Sequence, residues 1–229
     1  RSGVVIFPGS NCDRDMIVAL RQVTGKTPIK IWHKENDFPN LDLIVVPGGF
    51  TFGDYLRCGA LAARSPVISS IKNHISRGGT VLGVCNGFQI LIEAKILPGS
   101  LIRNKKLLFT CRETTLEVQN CMKNPFLSGF KIGECLKIPV AHNEGNYFAP
   151  KELLKQLKEE GRIALKYSKQ KNSEKNYNPN GSSDDIAGIL SNNGRVLGMM
   201  PHPERAINYL HGGTDGLKLL TNCIEQIIG

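Results

Sequence analysis

The stretch of this chain best suited to covalent chemistry is Thr80-Val81-Leu82-Gly83-Val84-Cys85-Asn86-Gly87-Phe88-Gln89. An apolar, β-branched run of strand length ends in Gly-x-Cys-x-Gly and passes at once into residues 88–94, which can be helical. This is the pattern of a nucleophile elbow, a tight strand-to-helix turn that holds one side chain strained and exposed. Gly83 and Gly87 flank the thiol because a Cβ at either place would meet the neighbouring chain. At a helix N-terminus, the dipole and free backbone N–H groups favour the thiolate of Cys85.

A nucleophilic thiol needs a base, and the base needs a partner to fix its tautomer. Gly198-Met199-Met200-Pro201-His202-Pro203-Glu204-Arg205 supplies both just past an apolar strand. In an extended segment His202 and Glu204, two residues apart, point to the same side. Cys85, His202 and Glu204 thus make a candidate triad. Acyl transfer also needs two N–H donors for the developing oxyanion, each worth about 3–4 kcal/mol. In an elbow one comes from the residue after the nucleophile, Asn86, and the other from a Gly-rich loop after a neighbouring strand. Pro47-Gly48-Gly49-Phe50 is such a loop, and Gly49 is the expected second donor. Pro8-Gly9-Ser10-Asn11 lacks the spacings of a phosphate-cradling loop and reads as a structural turn. The five His are scattered and no Cys/His/Asp/Glu group has metal-ligand spacing, so no metal is expected.

These residues must be positioned by alternating strands and helices. Residues 4–7, 29–32, 41–46 and 81–84 read as buried strands, with helices expected over 13–23, 59–77 (interrupted or begun at Pro66) and 88–94. Ser10 or Asn11 is the expected N-cap of the first helix. Continuous apolar strands between helices imply a mostly parallel α/β sheet, flavodoxin-like or Rossmann-like, covered on both faces. After about residue 100, alternating patterns over 107–118 and 137–141 indicate antiparallel additions. A short helix is expected over 152–160 and a polar, mobile surface loop over 168–185. A hairpin around Asn193-Gly194 and a closing helix over 215–228 follow. No repeat or linker divides the chain, so one domain spans 1–229.

The 229 residues carry a net charge of +9 and 41% hydrophobic content. The basic residues are spread along the chain without interleaved aromatics, which argues against nucleic acid. No apolar run is long enough to span a bilayer, so no membrane association is expected. Seven cysteines at irregular spacing with no CxxC pair suggest reduced thiols and a cytoplasmic setting.

Gly83-Val84-Cys85-Asn86-Gly87-Phe88-Gln89 together with Pro201-His202-Pro203-Glu204 resembles the class I, triad-type glutamine amidotransferases. Residues 7–13, 53–60, 141–147 and 177–182 narrow the likeness to the separate glutaminase subunits of phosphoribosylformylglycinamidine synthase. The resemblance implies hydrolysis of L-glutamine to glutamate and ammonia, with Cys85 as nucleophile, His202 as acid/base and Glu204 as orienter. It implies that Gln89 helps hold the substrate glutamine, with His142 and Asn143 close to the glutamine seat. It also implies a synthetase partner that uses ATP and Mg on its own sites, a small bridging subunit, and no cofactor in this chain. A glutaminase serving another synthase, or a DJ-1-like cysteine protein with a similar elbow, are the alternatives.

Overall fold

The computed structural model describes residues 1–168 and 177–228. Its strands are β1 (Ser2–Ile6), β2 (Ile29–Trp32), β3 (Leu43–Val46), β4 (Thr80–Val84), β5 (Ser100–Ile102), β6 (Thr110–Val118), β7 (Cys135–His142), β8 (Asn146–Phe148), β9 (Ile163–Tyr167), β10 (Ile186–Leu190) and β11 (Val196–Met199). Its α-helices are α1 (Asp13–Thr24), α2 (Val67–Ser76), α3 (Asn86–Glu93), α4 (Lys151–Glu159) and α5 (Asp215–Ile228).

Among the described residues nine strands form one sheet in the order β2-β1-β3-β4-β11-β10-β9-β6-β7. From β2 to β11 every pairing is parallel, and the order matches the flavodoxin-like arrangement. Strands β3 and β4 are fully buried, as Leu43-Ile44-Val45-Val46 and Thr80-Val81-Leu82-Gly83-Val84 require when both faces are covered. The remaining pairings, through β10, β9, β6 and β7, are antiparallel, which is the addition the alternating C-terminal patterns indicated. Strand β11 joins the two halves: it hydrogen-bonds β10 across the Asn-Gly hairpin and β4 in parallel register, Gly198 opposite Gly83. The ends of β4 and β11 therefore lie side by side, and the Cys85 amide donates to Met199 O at 2.8 Å.

Two local expectations are corrected and one is sharpened. Pro66 begins α2, as expected, and the stretch before it holds a short 3-10 turn, Ala62–Arg64, rather than a helix. Helix α1 begins after Cys12, whose side chain makes no cap, because Ser10 is drawn to the 48–49 loop and Asn11 Oδ1 accepts from Cys12 Sγ. The loop expected over 168–185 lies partly outside the described residues, while its 177–185 part is well anchored. There Asn180 and Ser182 are buried, and Tyr177 and Asn178 donate side-chain hydrogen bonds to Asp185.

Phe88, in the first turn of α3, is fully buried and stacks on Tyr147 of β8 with ring centroids 6.1 Å apart. Truncating it leaves a cavity directly behind the elbow. Phe88→Ala should cost about 3–5 kcal/mol, read as a lower urea midpoint with an unchanged m-value.

Candidate active site

Cys85 sits between β4 and α3 with φ 50° and ψ −107°, a left-handed φ that a non-glycine residue adopts only under strain. The turn is this tight because helix α3 starts against β3: a Cβ on Gly87 would come within 1.8 Å of the Val46 carbonyl oxygen. The expected elbow is present. Its thiol, 6% exposed, faces a cavity of about 390 Å³ and reaches toward the carbonyl of Ala141 at 3.7 Å.

His202 and Glu204 follow β11. Their facing arrangement does not come from an extended segment. His202 is extended, but Pro203 opens a 3-10 turn, Pro203–Arg205, which swings Glu204 back under the ring. Nδ1 and Glu204 Oε1 are 2.6 Å apart, and since a carboxylate only accepts, Nδ1 carries the proton. The amide of His202 is held by Pro139 O on β7 at 2.8 Å. Both side chains are buried, and His202 Nε2 and Glu204 Oε2 have no hydrogen-bond partner among the described residues. Burial disfavours the charged ring, but Glu204 and Cys85 outweigh it and raise the His202 pKa well above 6.5. Cys85 and His202 line the same cavity. The structure thus brings the three residues of the candidate triad together.

Gly49 lines the same cavity with φ 146°, and a Cβ there would press on Asn11 N and Ser10 Cα at under 3 Å. Asn86 opens helix α3, so its N–H lacks an intrahelical acceptor. Its side chain accepts from Thr51 N (3.2 Å) and donates to Gln89 Oε1 (2.7 Å), tying the 47–54 loop to the elbow helix. Gln89 in turn donates to Glu144 O at 2.7 Å. Its amide is therefore committed to the wall of the cavity.

His142 and Asn143 both line the cavity, but differently. His142 is buried in a polar net: Nδ1 donates to Asn104 Oδ1 (3.2 Å) and Nε2 accepts from Asn180 Nδ2 (3.4 Å). Asn180 also donates to Gly145 O (2.7 Å) and Tyr167 Oη (3.2 Å). With both ring nitrogens engaged this way the ring is neutral, and burial together with His202 lowers its pKa to about 4. Asn143 is exposed at the rim.

Other residues of the site were invisible to sequence spacing. Cys12 Sγ lies in the cavity wall, accepts a hydrogen bond from Arg205 Nη2 at 3.1 Å, and groups with His202 and Glu204. Cys58 sits beside the carboxylates of Asp54 and Glu144, and burial with these charges pushes its pKa up. Burial likewise raises the pKa of Asp54. Only the motif stretches 7–13 and 53–60 pointed to this wall. The Pro8–Asn11 turn is structural, as expected: it pairs with Gly49 and accepts from Phe50 N and Phe52 N.

The chain matches, over residues 1–213, the model of a family described as a CobB/CobQ-like glutamine amidotransferase domain. It is 50% identical over 225 residues, 98% of each chain, to the phosphoribosylformylglycinamidine synthase subunit PurQ of Brucella suis. It is 48% identical over 229 residues, the whole of both chains, to the subunit of the same name from Bartonella henselae. Among solved structures it resembles a chain of PurLQS from Thermotoga maritima, with a TM-score of 0.85 and 39% identity, covering 100% of this chain and 97% of that one.

The neutral His142 makes stability depend on acid. An unfolded ring titrates near 6.5 and the folded one near 4, so the unfolded chain takes up the proton first as pH falls. Stability from this ring is complete above about pH 6.5 and drains away toward pH 4, by about 2 kcal/mol at pH 5. His33 and His74, also lowered by burial, add to the loss. Urea unfolding at pH 7 and pH 5 should show His142→Gln losing less stability on acidification than the parent.

Proposed function

The chain belongs to the CobB/CobQ-like glutamine amidotransferase family, and from that premise we propose that Cys85, His202 and Glu204 hydrolyse L-glutamine for a synthase of purine biosynthesis. The observation that carries this reading is the buried His202–Glu204 pair set against a strained elbow thiol in one cavity. The Cys85 thiolate attacks the side-chain amide carbon, and the tetrahedral oxyanion forms between the N–H groups of Gly49 and Asn86. His202, which holds a proton, passes it to the departing nitrogen, and ammonia leaves a glutamyl thioester. The same ring then takes a proton from water as it attacks the thioester, releasing glutamate. Glu204 keeps Nδ1 protonated so that Nε2 faces the chemistry.

Gln89 and the buried His142 form part of the cavity wall and shape the seat, the Asn86 side chain ties the 47–54 loop to the elbow helix, and Asn143 at the rim touches substrate. Ammonia passes to a synthetase subunit, with a small bridging subunit, that converts formylglycinamide ribonucleotide to its amidine with ATP and Mg held on the partner. The relatives named as subunits of phosphoribosylformylglycinamidine synthase, and the likeness to a PurLQS chain, support this acceptor. The whole chain works as one glutaminase domain in the cytoplasm, away from membrane and nucleic acid. No described helix is long and apolar enough to cross a bilayer.

The test is amidine formation by the synthetase and bridging subunits with ATP, supplied with glutamine or with ammonium, with and without this chain. Glutamine should serve only when the chain is present, and ammonium in either case. Cys85→Ala should cut glutamine-driven turnover by at least about 10³-fold and spare the ammonium reaction. Glu204→Ala should be roughly ten- to a hundredfold less damaging than His202→Ala, because orientation is a smaller task than proton transfer. Equal losses, or a failed ammonium reaction, would argue against these roles.

A further inference from the structure

We infer that Cys12 and Arg205 work as one positioning unit that seats the His202–Glu204 pair against the 48–49 loop. Cys12 is buried just before α1, where that loop and the turn bearing the base both meet it. Its amide donates to Gly48 O at 3.3 Å, and its thiol donates to Asn11 Oδ1 at 3.1 Å. Its sulfur accepts from Arg205 Nη2 at 3.1 Å, so the residue next to Glu204 reaches back to hold the beginning of α1. Cys12 Sγ, a ring nitrogen of His202 and a carboxylate oxygen of Glu204 all lie within 4.8 Å of one another. Gly48 shows how closely these groups are fitted. A Cβ there would lie 2.8 Å from His202 Cε1, 3.2 Å from Cys12 Sγ and 3.4 Å from Cys85 Cβ. The ring is packed among loop, elbow and Cys12 with no room for one more carbon.

This role is exerted through His202 and rests on the acid/base reading of that ring. Glu204 fixes Nδ1, but a single hydrogen bond leaves the ring free to tilt about it. Cys12 supplies the second contact that removes this freedom, and Arg205 fixes Cys12 in turn. A misplacement of about 1 Å can cost about 10²-fold in rate. The sulfur also bears on the proton. The groups facing the ring are Glu204 on its own turn, Cys85 at the elbow, His142 on β7 and Cys12 before α1. Arg205 stands beside Cys12 and is itself faced by Asp15 of α1. An electron-rich sulfur near the imidazolium favours the charged ring, so removing it lets the proton leave at lower pH.

The experiment pairs kinetics of the complex with the synthetase and bridging subunits with NMR of the full chain labelled with nitrogen-15 in its histidine rings. Cys12→Ala should lower kcat for glutamine at least about tenfold while KM stays within about twofold. The alkaline limb of kcat/KM, where His202 loses its proton, should move down by at least about 0.5 pH unit. The His202 ring resonances, identified by their loss in His202→Gln, should titrate lower by the same amount. Cys12→Ser, whose hydroxyl can accept from Arg205, should recover most of both effects. Arg205→Met should lose kcat to a similar degree, and the double variant should lose no more than the worse single one, since the two act as a unit. Cys12→Val, which keeps side-chain bulk without the acceptor, carries the same test if Cys12→Ala does not fold. An unchanged kcat and alkaline limb, losses that add in the double variant, or a Cys12→Ser chain as impaired as Cys12→Ala would overturn the inference. A lowered His202 titration in a chain with no glutaminase activity would sink the glutaminase reading and leave the seating of the ring standing.

Discussion

The short contact between His202 and Glu204 is the interaction on which the arrangement turns. An ionisable ring and a carboxylate are both taken out of water, and neither would be tolerable there alone. They are held at 2.6 Å by Pro203, which turns the chain, and by the backbone of β7, which fixes the His202 amide. The pair then sets the field around the elbow: it raises the ring's affinity for a proton and, through the Nδ1 proton, aims the other nitrogen outward. Losing one partner leaves the other buried without compensation, so the site is as much a folding element as a chemical one.

The hybrid sheet divides the labour. Its parallel half provides the elbow and the 48–49 loop at the carboxyl ends of β3 and β4, where open α/β sheets place their sites. Its antiparallel half provides the opposite wall, through Ala141, His142 and Glu144. The wall is stiffened by amides: Asn104 and Asn180 engage both nitrogens of His142 and bind Gly145 from either side. Gln89 then links that wall to the elbow helix through Glu144 O. The cavity is enclosed by two halves of the sheet, which the Gln89 amide joins across the site.

What could be read from the sequence was local. Gly-x-Cys-x-Gly after an apolar run encodes its own turn, and His-Pro-Glu encodes its own contact, because both depend on neighbours within a few residues. Even so, the second was right for another reason than the extended geometry expected, since Pro203 imposes a 3-10 turn. Cys12, Arg205, Asn104 and Asn180 gave no signal as a group, because loops far apart in the chain bring them together. The same holds for the N-cap of α1: Ser10 and Asn11 have the right chemistry, but the loop at Gly49 claims that turn. A polar stretch such as 177–182 looks like a solvated loop until its buried partners are known.

The parallel pairing of β4 with β11 also bears on how the protein is made. The thiol and its base are separated by more than a hundred residues, and the strand carrying the base inserts beside the strand carrying the nucleophile only once the C-terminal hairpin exists. Pairing of this kind is slow and comes late, since the loop it closes is long. At synthesis rates of about 5–20 residues per second, Cys85 leaves the ribosome roughly ten seconds before His202. During that interval the emerging chain carries a cysteine without its base, and its chemistry is switched on only by completion of the sheet.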